Sequence, residues 1–300
     1  MEQKVMIEEF RADLKTRRLS RDTQLQYPTY VKALAKFTGG DLLGVTEDTL
    51  VAYLDHLQSK NMVLSSLRRH FAALSGFYDF LVFKKQIAVN PVSSMFKKRY
   101  LKEYKSHNTS QRRKCITVDE ARLLVESILN IREKVVVLVL LKTGIRRREL
   151  STLDLTDLDM KNMVLHLKPT AKRSNLDVYF DKETAVVLDK WLKRRKDTDP
   201  ALFHNSLGHR FQPYSINTMF VKYATAVGLH NPDSKKLEDK LTPHCCRHYY
   251  TNTLDEADMK KNYIAELRGD KGRDAVDIYT HISKEKLKKS YMDLVPKLGL

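Results

Sequence analysis

The stretch Pro243-His244-Cys245-Cys246-Arg247-His248-Tyr249 decides how the rest of the chain is read. Thr242 can cap a helix here, and Pro243 suits its first position, where a missing N–H is lost without cost. On such a helix His244 and Arg247 share one face. Arg carries a permanently charged planar fork of donors, and His can carry or accept a proton. The pair forms a grip suited to phosphate, and the helix would aim its first free N–H groups the same way. A zinc reading of His244, Cys245, Cys246 and His248 fails, because adjacent ligands on one helix point apart and the paired spacing is absent. No metal is expected. Cys245 and Cys246 read as small buried residues. With Cys115 they make no disulfide framework, which points to a reducing compartment.

Upstream, Thr143-Gly144-Ile145-Arg146-Arg147-Arg148-Glu149-Leu150 places one arginine to face an anion, with Glu149 on the same helical side to hold its guanidinium. Before it, Val135 to Leu141 reads as either strand or helix. Thr117 to Glu120 is a capping box. Met163–Leu167 and Asp177–Phe180 read as strands around the polar turn Thr170–Asn175. Helices follow at Thr184–Arg194, at Ser215–Val227 (closed by Gly228) and at Lys284–Leu294.

The first part reads as helices. Ser20 caps one with Leu25, Tyr30, Leu34 and Phe37 inward and Pro28 as a kink. Thr46 caps the next, and Ser65–Val82 forms a third, with Arg68, Arg69 and His70 on its outer face. Asn90-Pro91 marks a break. The following stretch carries Lys97, Lys98, Arg99, Arg112, Arg113 and Lys114 against the single acid Glu103. It reads as a basic linker, either a solvated tether or a strap along a phosphate backbone.

A net charge of +17 points to a polyanionic partner, with nucleic acid first. The longest apolar run is too short to cross a bilayer, and the N-terminus has no apolar signal core, so a cytoplasmic, non-membrane protein is expected.

In their order along the chain, the Thr143–Leu150 turn, a lysine in a hairpin turn, His244-x-x-Arg247 and Tyr279 within Ile278-Tyr279-Thr280-His281 resemble the tyrosine recombinase (phage integrase) family. Ser65–Pro91 resembles that family's core-binding helix, so the likeness covers nearly the whole chain. The resemblance implies a mainly α fold with a small β-sheet (α+β). A helical core-binding domain (1–96) and a basic linker (97–114) would precede a tyrosine-recombinase catalytic domain (115–300). It implies that Arg146 and Arg247 clamp one scissile phosphate and that Tyr279 attacks it to give a 3′-phosphotyrosine. His244 would help with proton movement, and Lys172, with Lys168 as the alternative, would protonate the leaving 5′ oxygen. Neither ATP nor a metal or other cofactor would be needed. The partners implied are double-stranded DNA with specific recombination sites and further copies of the chain, as a homo-tetramer on DNA. The helix after Ser283 would dock on a neighbouring copy.

One position departs from the pattern. Where the family carries a His or Trp shortly before its nucleophile, this chain has Asp270 in Leu267-Arg268-Gly269-Asp270. An ionised carboxylate cannot donate to a phosphate. Either Asp270 acts behind the residues that touch phosphate, or Arg268 or Lys271 supplies the donor. The preferred role is integration of a mobile or viral genome, with resolution of chromosome or plasmid dimers close behind. A type IB topoisomerase and a non-catalytic DNA-binding protein are the rivals.

Overall fold

The caps expected at Ser20 and Thr46 form: each side chain accepts a backbone N–H, from Thr23 and Thr49 respectively. The computed structural model describes residues 2–102, 112–169, 173–270 and 282–300. It divides into two units, Met1–Ser110 and Gln111–Leu300. In the first, α1 (Glu2–Thr16), α2 (Arg21–Phe37), α3 (Glu47–Ser59) and α4 (Leu64–Phe83) enclose a core that includes Phe10, Leu34, Leu54, Phe71 and Phe77. Phe10 meets Phe77 edge-on, with ring centroids 5.3 Å apart.

Three side chains of this unit lie opposite to their expected positions. Leu25 is 58% exposed and Phe37 37%, because α2 turns Pro28, Val31, Leu34 and Ala35 inward. His70 is 3% exposed rather than on the outer face with Arg68 and Arg69. Its Nε2 lies 2.8 Å from the Tyr53 hydroxyl, and burial pulls its pKa down to about 4.

Part of the basic stretch read as a linker is structured. After α5 (Ser94–Phe96), Lys97–Lys102 forms a wider, π-type helical segment, and Phe96 and Leu101 are buried in the first unit's core. Those two apolar anchors tie down this part of the stretch. Glu103 and the rest up to residue 111 lie outside the described residues.

In the second unit α6 (Val118–Glu126) opens on the expected capping box: Thr117 Oγ1 accepts from Glu120 N, and Glu120 Oε2 from Thr117 N. The ambiguous run Val135–Leu141 is helical, inside α7 (Ile131–Thr143), and each of its residues is 0% exposed. A helix covered on every side has no amphipathic period to display. Each of these side chains contributes about 1.5–3 kcal/mol on leaving water, and the unit is organised around them. After α8 (Arg147–Ser151) come β1 (Leu158–Asp159), β2 (Val164–His166) and β3 (Asp177–Tyr179). They form an antiparallel sheet in the order β1-β2-β3, with Leu165 opposite Val178. Next come α9 (Lys182–Arg194), α10 (Pro213–Ala226), α11 (Pro243–Glu256) and α12 (Lys261–Arg268).

The last helix, α13 (Lys284–Leu294), packs at home. Leu287 and Tyr291 are buried with Tyr179, Tyr250, Leu254 and Ile264 of the same unit. The tail beyond it is bonded to this unit as well, through Lys142 Nζ on Pro296 O and Glu183 accepting from Leu298 N. The helix expected to dock on a neighbouring copy thus buries Leu287 and Tyr291 within its own unit. No helix among the described residues is long and apolar enough to cross a membrane.

Candidate active site

α7 ends where the site begins. Gly144 caps it in the left-handed region (φ 60°), which favours glycine. A Cβ there would also lie 2.6 Å from the Tyr250 ring. That tight exit throws Arg146 to the start of α8. There Glu149, 7% exposed, accepts from Arg146 N at 2.7 Å and from Arg146 Nη1 at 2.9 Å. The carboxylate fixes both the backbone and the guanidinium of Arg146.

Arg247 reaches the same place from α11. It is 5% exposed and donates to Gly144 O at 3.0 Å and to Arg268 O at 2.9 Å. Its Nη2 also lies 2.7 Å from Asp270 Oδ1, and Arg146 Nη2 lies 3.8 Å from that same oxygen. Arg268 Nε is 3.0 Å from Asp270 Oδ2. The two arginines singled out in the sequence therefore face a common anion, a carboxylate of the chain itself. Burial, and after it the nearby Arg146, pull the Arg247 pKa down to about 10, leaving it a cation at neutral pH.

His244 opens onto a cavity of about 430 Å³ whose walls include Arg113, Arg146, Arg147, Asn217 and Arg247. Loss of water and the charges of Arg113, His248, Arg247 and Arg146 push its pKa down to about 4. The ring is neutral at neutral pH and can take a proton. His248 meets it edge-on at 5.1 Å. Tyr249 and Tyr250, on the same helix, are 0% and 2% exposed, and burial raises both hydroxyl pKa values.

Several residues singled out in the sequence sit elsewhere or lie outside the described residues. Lys168 Nζ is held by Asp154 at 2.9 Å and by Asp157 at 3.1 Å, and Asp154 also pairs with Arg210. This ion-pair network is separate from the acids Glu149 and Asp270 that hold the two arginines. Lys172, Lys271 and Tyr279 lie outside the described residues. Arg68, Arg69, Lys98 and Arg99 are exposed on the first unit. Arg68 Nε donates to Leu101 O, and Lys97 Nζ to Ser75 Oγ. In the second unit Arg112 is exposed, Lys114 lies 4.0 Å from Glu120, and Arg113 lines the His244 cavity.

The sequence reading missed Arg173. Its side chain is 0% exposed, and its Nη1 lies 3.3 Å from Glu149 Oε2. It donates to Arg268 O at 3.0 Å, to Leu267 O at 2.9 Å and to Asn175 O. An arginine in a polar turn after a lysine reads as solvated, and no local pattern marks it as buried.

Comparison with known proteins fits this geometry. Residues 114–286 match the phage integrase family, and residues 7–85 match the phage integrase N-terminal SAM-like domain. A tyrosine recombinase XerC of Herpetosiphon aurantiacus is 28% identical over 301 residues, covering 93% of this chain and 91% of the relative. A tyrosine recombinase XerC of Listeria monocytogenes is 28% identical over 261 residues, covering 82% and 80%. Among solved structures, a lambda integrase dimer bound to a COC′ core site shares the fold at TM-score 0.69 and 15% identity, covering 93% of this chain and 98% of that one. The Tn1549 transposon integrase in complex with circular intermediate DNA does so at TM-score 0.70 and 16% identity, covering 95% and 98%. The N-terminal match, the mostly helical second unit with its small antiparallel sheet, and a family match over more than half the sequence agree: this chain belongs to the phage integrase family of tyrosine recombinases.

Proposed function

We propose that the chain is a site-specific DNA recombinase that cuts and rejoins strands through a 3′-phosphotyrosine on Tyr279. The observation that carries this reading is the Asp270 carboxylate, held between Arg247 at 2.7 Å and Arg146 at 3.8 Å. The scissile phosphate takes the place of that carboxylate. The two guanidiniums then stabilise the charge that grows on its nonbridging oxygens, without needing to reorganise. The Tyr279 oxygen forms a bond to phosphorus, and the bond from phosphorus to the 5′ oxygen breaks. The tyrosine proton leaves towards neutral His244, and Lys172 protonates the departing 5′ oxygen. The phosphodiester bond is exchanged for a phosphotyrosine of similar energy, so the reverse attack by a 5′ hydroxyl reseals DNA without ATP or a metal. Exchange between two duplexes requires a cut in each of four strands, hence four copies on DNA.

A duplex nicked just 3′ of the cleavage position, which on cutting loses the short fragment bearing the new 5′ hydroxyl, tests the chemistry. A covalent adduct is expected from the wild type and from Tyr249→Phe, and none from Tyr279→Phe. No adduct from the wild type leaves the non-catalytic DNA-binding reading in its place. Relaxation of any supercoiled plasmid without exchange between matched sites would favour the type IB topoisomerase reading. Within the recombinase reading, the two relatives, matched over 80% or more of their length, are named tyrosine recombinase XerC and not integrase. This supports resolution of chromosome or plasmid dimers over integration. Exchange between two copies of one site on a single plasmid, against exchange between unlike sites on separate molecules, decides between them.

A further inference from the structure

The supports of the two clamp arginines converge on one buried cation. Glu149 holds Arg146, and its Oε2 also faces Arg173 Nη1 at 3.3 Å. The Arg268 carbonyl accepts from Arg247 Nη2 at 2.9 Å and from Arg173 Nη1 at 3.0 Å. One guanidinium thus touches the prop of each clamp arginine, and its other donors reach Leu267 O and Asn175 O. The backbone makes room for it. Gly269 has φ +64°, and a Cβ there would lie 2.5 Å from Arg173 Cγ and 2.8 Å from its Nε. The turn before β3 is stitched to the end of α12 beside it, by Ser174 N on Gly269 O at 3.1 Å and Asn175 Nδ2 on Glu266 O at 3.2 Å.

We propose that Arg173 is a positioning residue that sets the spacing of Arg146 and Arg247 for the scissile phosphate, a role that rests on the recombinase reading above. It touches no substrate. It acts through Glu149 on one side and the Arg268 carbonyl on the other. Arginine is required because a lysine ammonium is a single point of charge. It can pair with Glu149 but cannot reach the carbonyls of Leu267, Arg268 and Asn175 in one plane.

The test compares Arg173→Met and Arg173→Lys with the wild type in single-turnover adduct formation. Two nicked duplexes are used, one with an ordinary phosphodiester and one with a methylphosphonate at the cleavage position. The methyl group removes the charge that the clamp neutralises, so the spacing of the guanidiniums matters less there. On the phosphodiester both variants are expected to be about 10²-fold slower, the scale set by a misplacement of about 1 Å. On the methylphosphonate the gap to the wild type is expected to shrink to a few-fold. Arg173→Lys keeps the charge beside Glu149 and carries the comparison if the methionine variant does not fold. An equal deficit on both substrates means that Arg173 only holds the fold together, and overturns the proposal. Wild-type rates in Arg173→Lys overturn it too. No adduct from the wild type on either substrate instead removes the recombinase reading beneath it.

Discussion

Two of the clusters that the second unit builds around buried cations do opposite work. In one, Lys142 is 0% exposed and meets Asp181 and Glu183, each at 2.6 Å, as well as the Pro296 carbonyl. Its charge is outnumbered by acids, and its bonds tie α7 to the C-terminal tail. In the other, Arg146, Arg173, Arg247 and Arg268 share, among the described residues, only Glu149 and Asp270. Glu149 is committed to positioning, so an excess of positive charge faces the Asp270 carboxylate and the cavity. Burial of a charge does not distinguish a site from a brace. The balance of charge around it does, because an unneutralised cluster keeps its affinity for an outside anion.

The largest effect should come from breaking the brace. Lys142→Met leaves Asp181 and Glu183 without their cation and is expected to cost about 3–5 kcal/mol, the usual scale for removing one partner of a buried ion pair. Urea unfolding measures this, and the cleavage rate per folded molecule should change little. Arg146→Gln should show the reverse pattern. Arg173 still balances Glu149, so the midpoint of unfolding moves little, while adduct formation slows by about 10²–10³-fold, or ~3–4 kcal/mol. If both substitutions hit stability and rate alike, the distinction between brace and clamp fails.

Asp270→Asn sharpens the comparison. It removes the internal anion that competes with phosphate but leaves an oxygen to accept from Arg247. DNA affinity at fixed salt is expected to rise about tenfold, or ~1.4 kcal/mol, measured by titration of a labelled duplex. Unchanged affinity would mean that the carboxylate does not compete for the clamp.

The smallest effect concerns His244. Its pKa of about 4 lies below the ordinary histidine value near 6.5. The unfolded chain therefore binds more protons between those values. The stability contributed by the neutral ring is complete above about 6.5 and is lost as pH falls towards about 4. For activity, the acid limb of kcat/KM should lie below pH ~6.5 and disappear in His244→Gln. A limb at an ordinary histidine pKa would mean that burial and the surrounding charges do not act on the ring.

How much of this was legible in the sequence depends on whether a residue's partners lie nearby in the chain. Arg146 with Glu149, Thr117 with Glu120, and the Ser20 and Thr46 caps are local pairs, and each forms as read. The convergence of Arg146 and Arg247 was legible only through the order of several boxes, since no local rule joins α8 to α11. Arg173 was illegible because its partners Glu149, Leu267 and Arg268 are remote in the chain. The ion pairs of Lys168 were illegible for a similar reason: its partners Asp154 and Asp157 lie in a segment that carried no motif. Val135–Leu141 hid its helix by being covered all round, and the positions of His70 and Leu25 depended on which neighbouring helix covered them.

The central claim is that Arg146 and Arg247 form a phosphate clamp that Asp270 occupies in the absence of DNA. A crystal structure of Tyr279→Phe with its uncut duplex tests it directly. The account predicts a backbone phosphate between the two guanidiniums, with the Asp270 carboxylate displaced from Arg247. A carboxylate still seated at 2.7 Å from Arg247, with the DNA phosphates bound elsewhere, would contradict it.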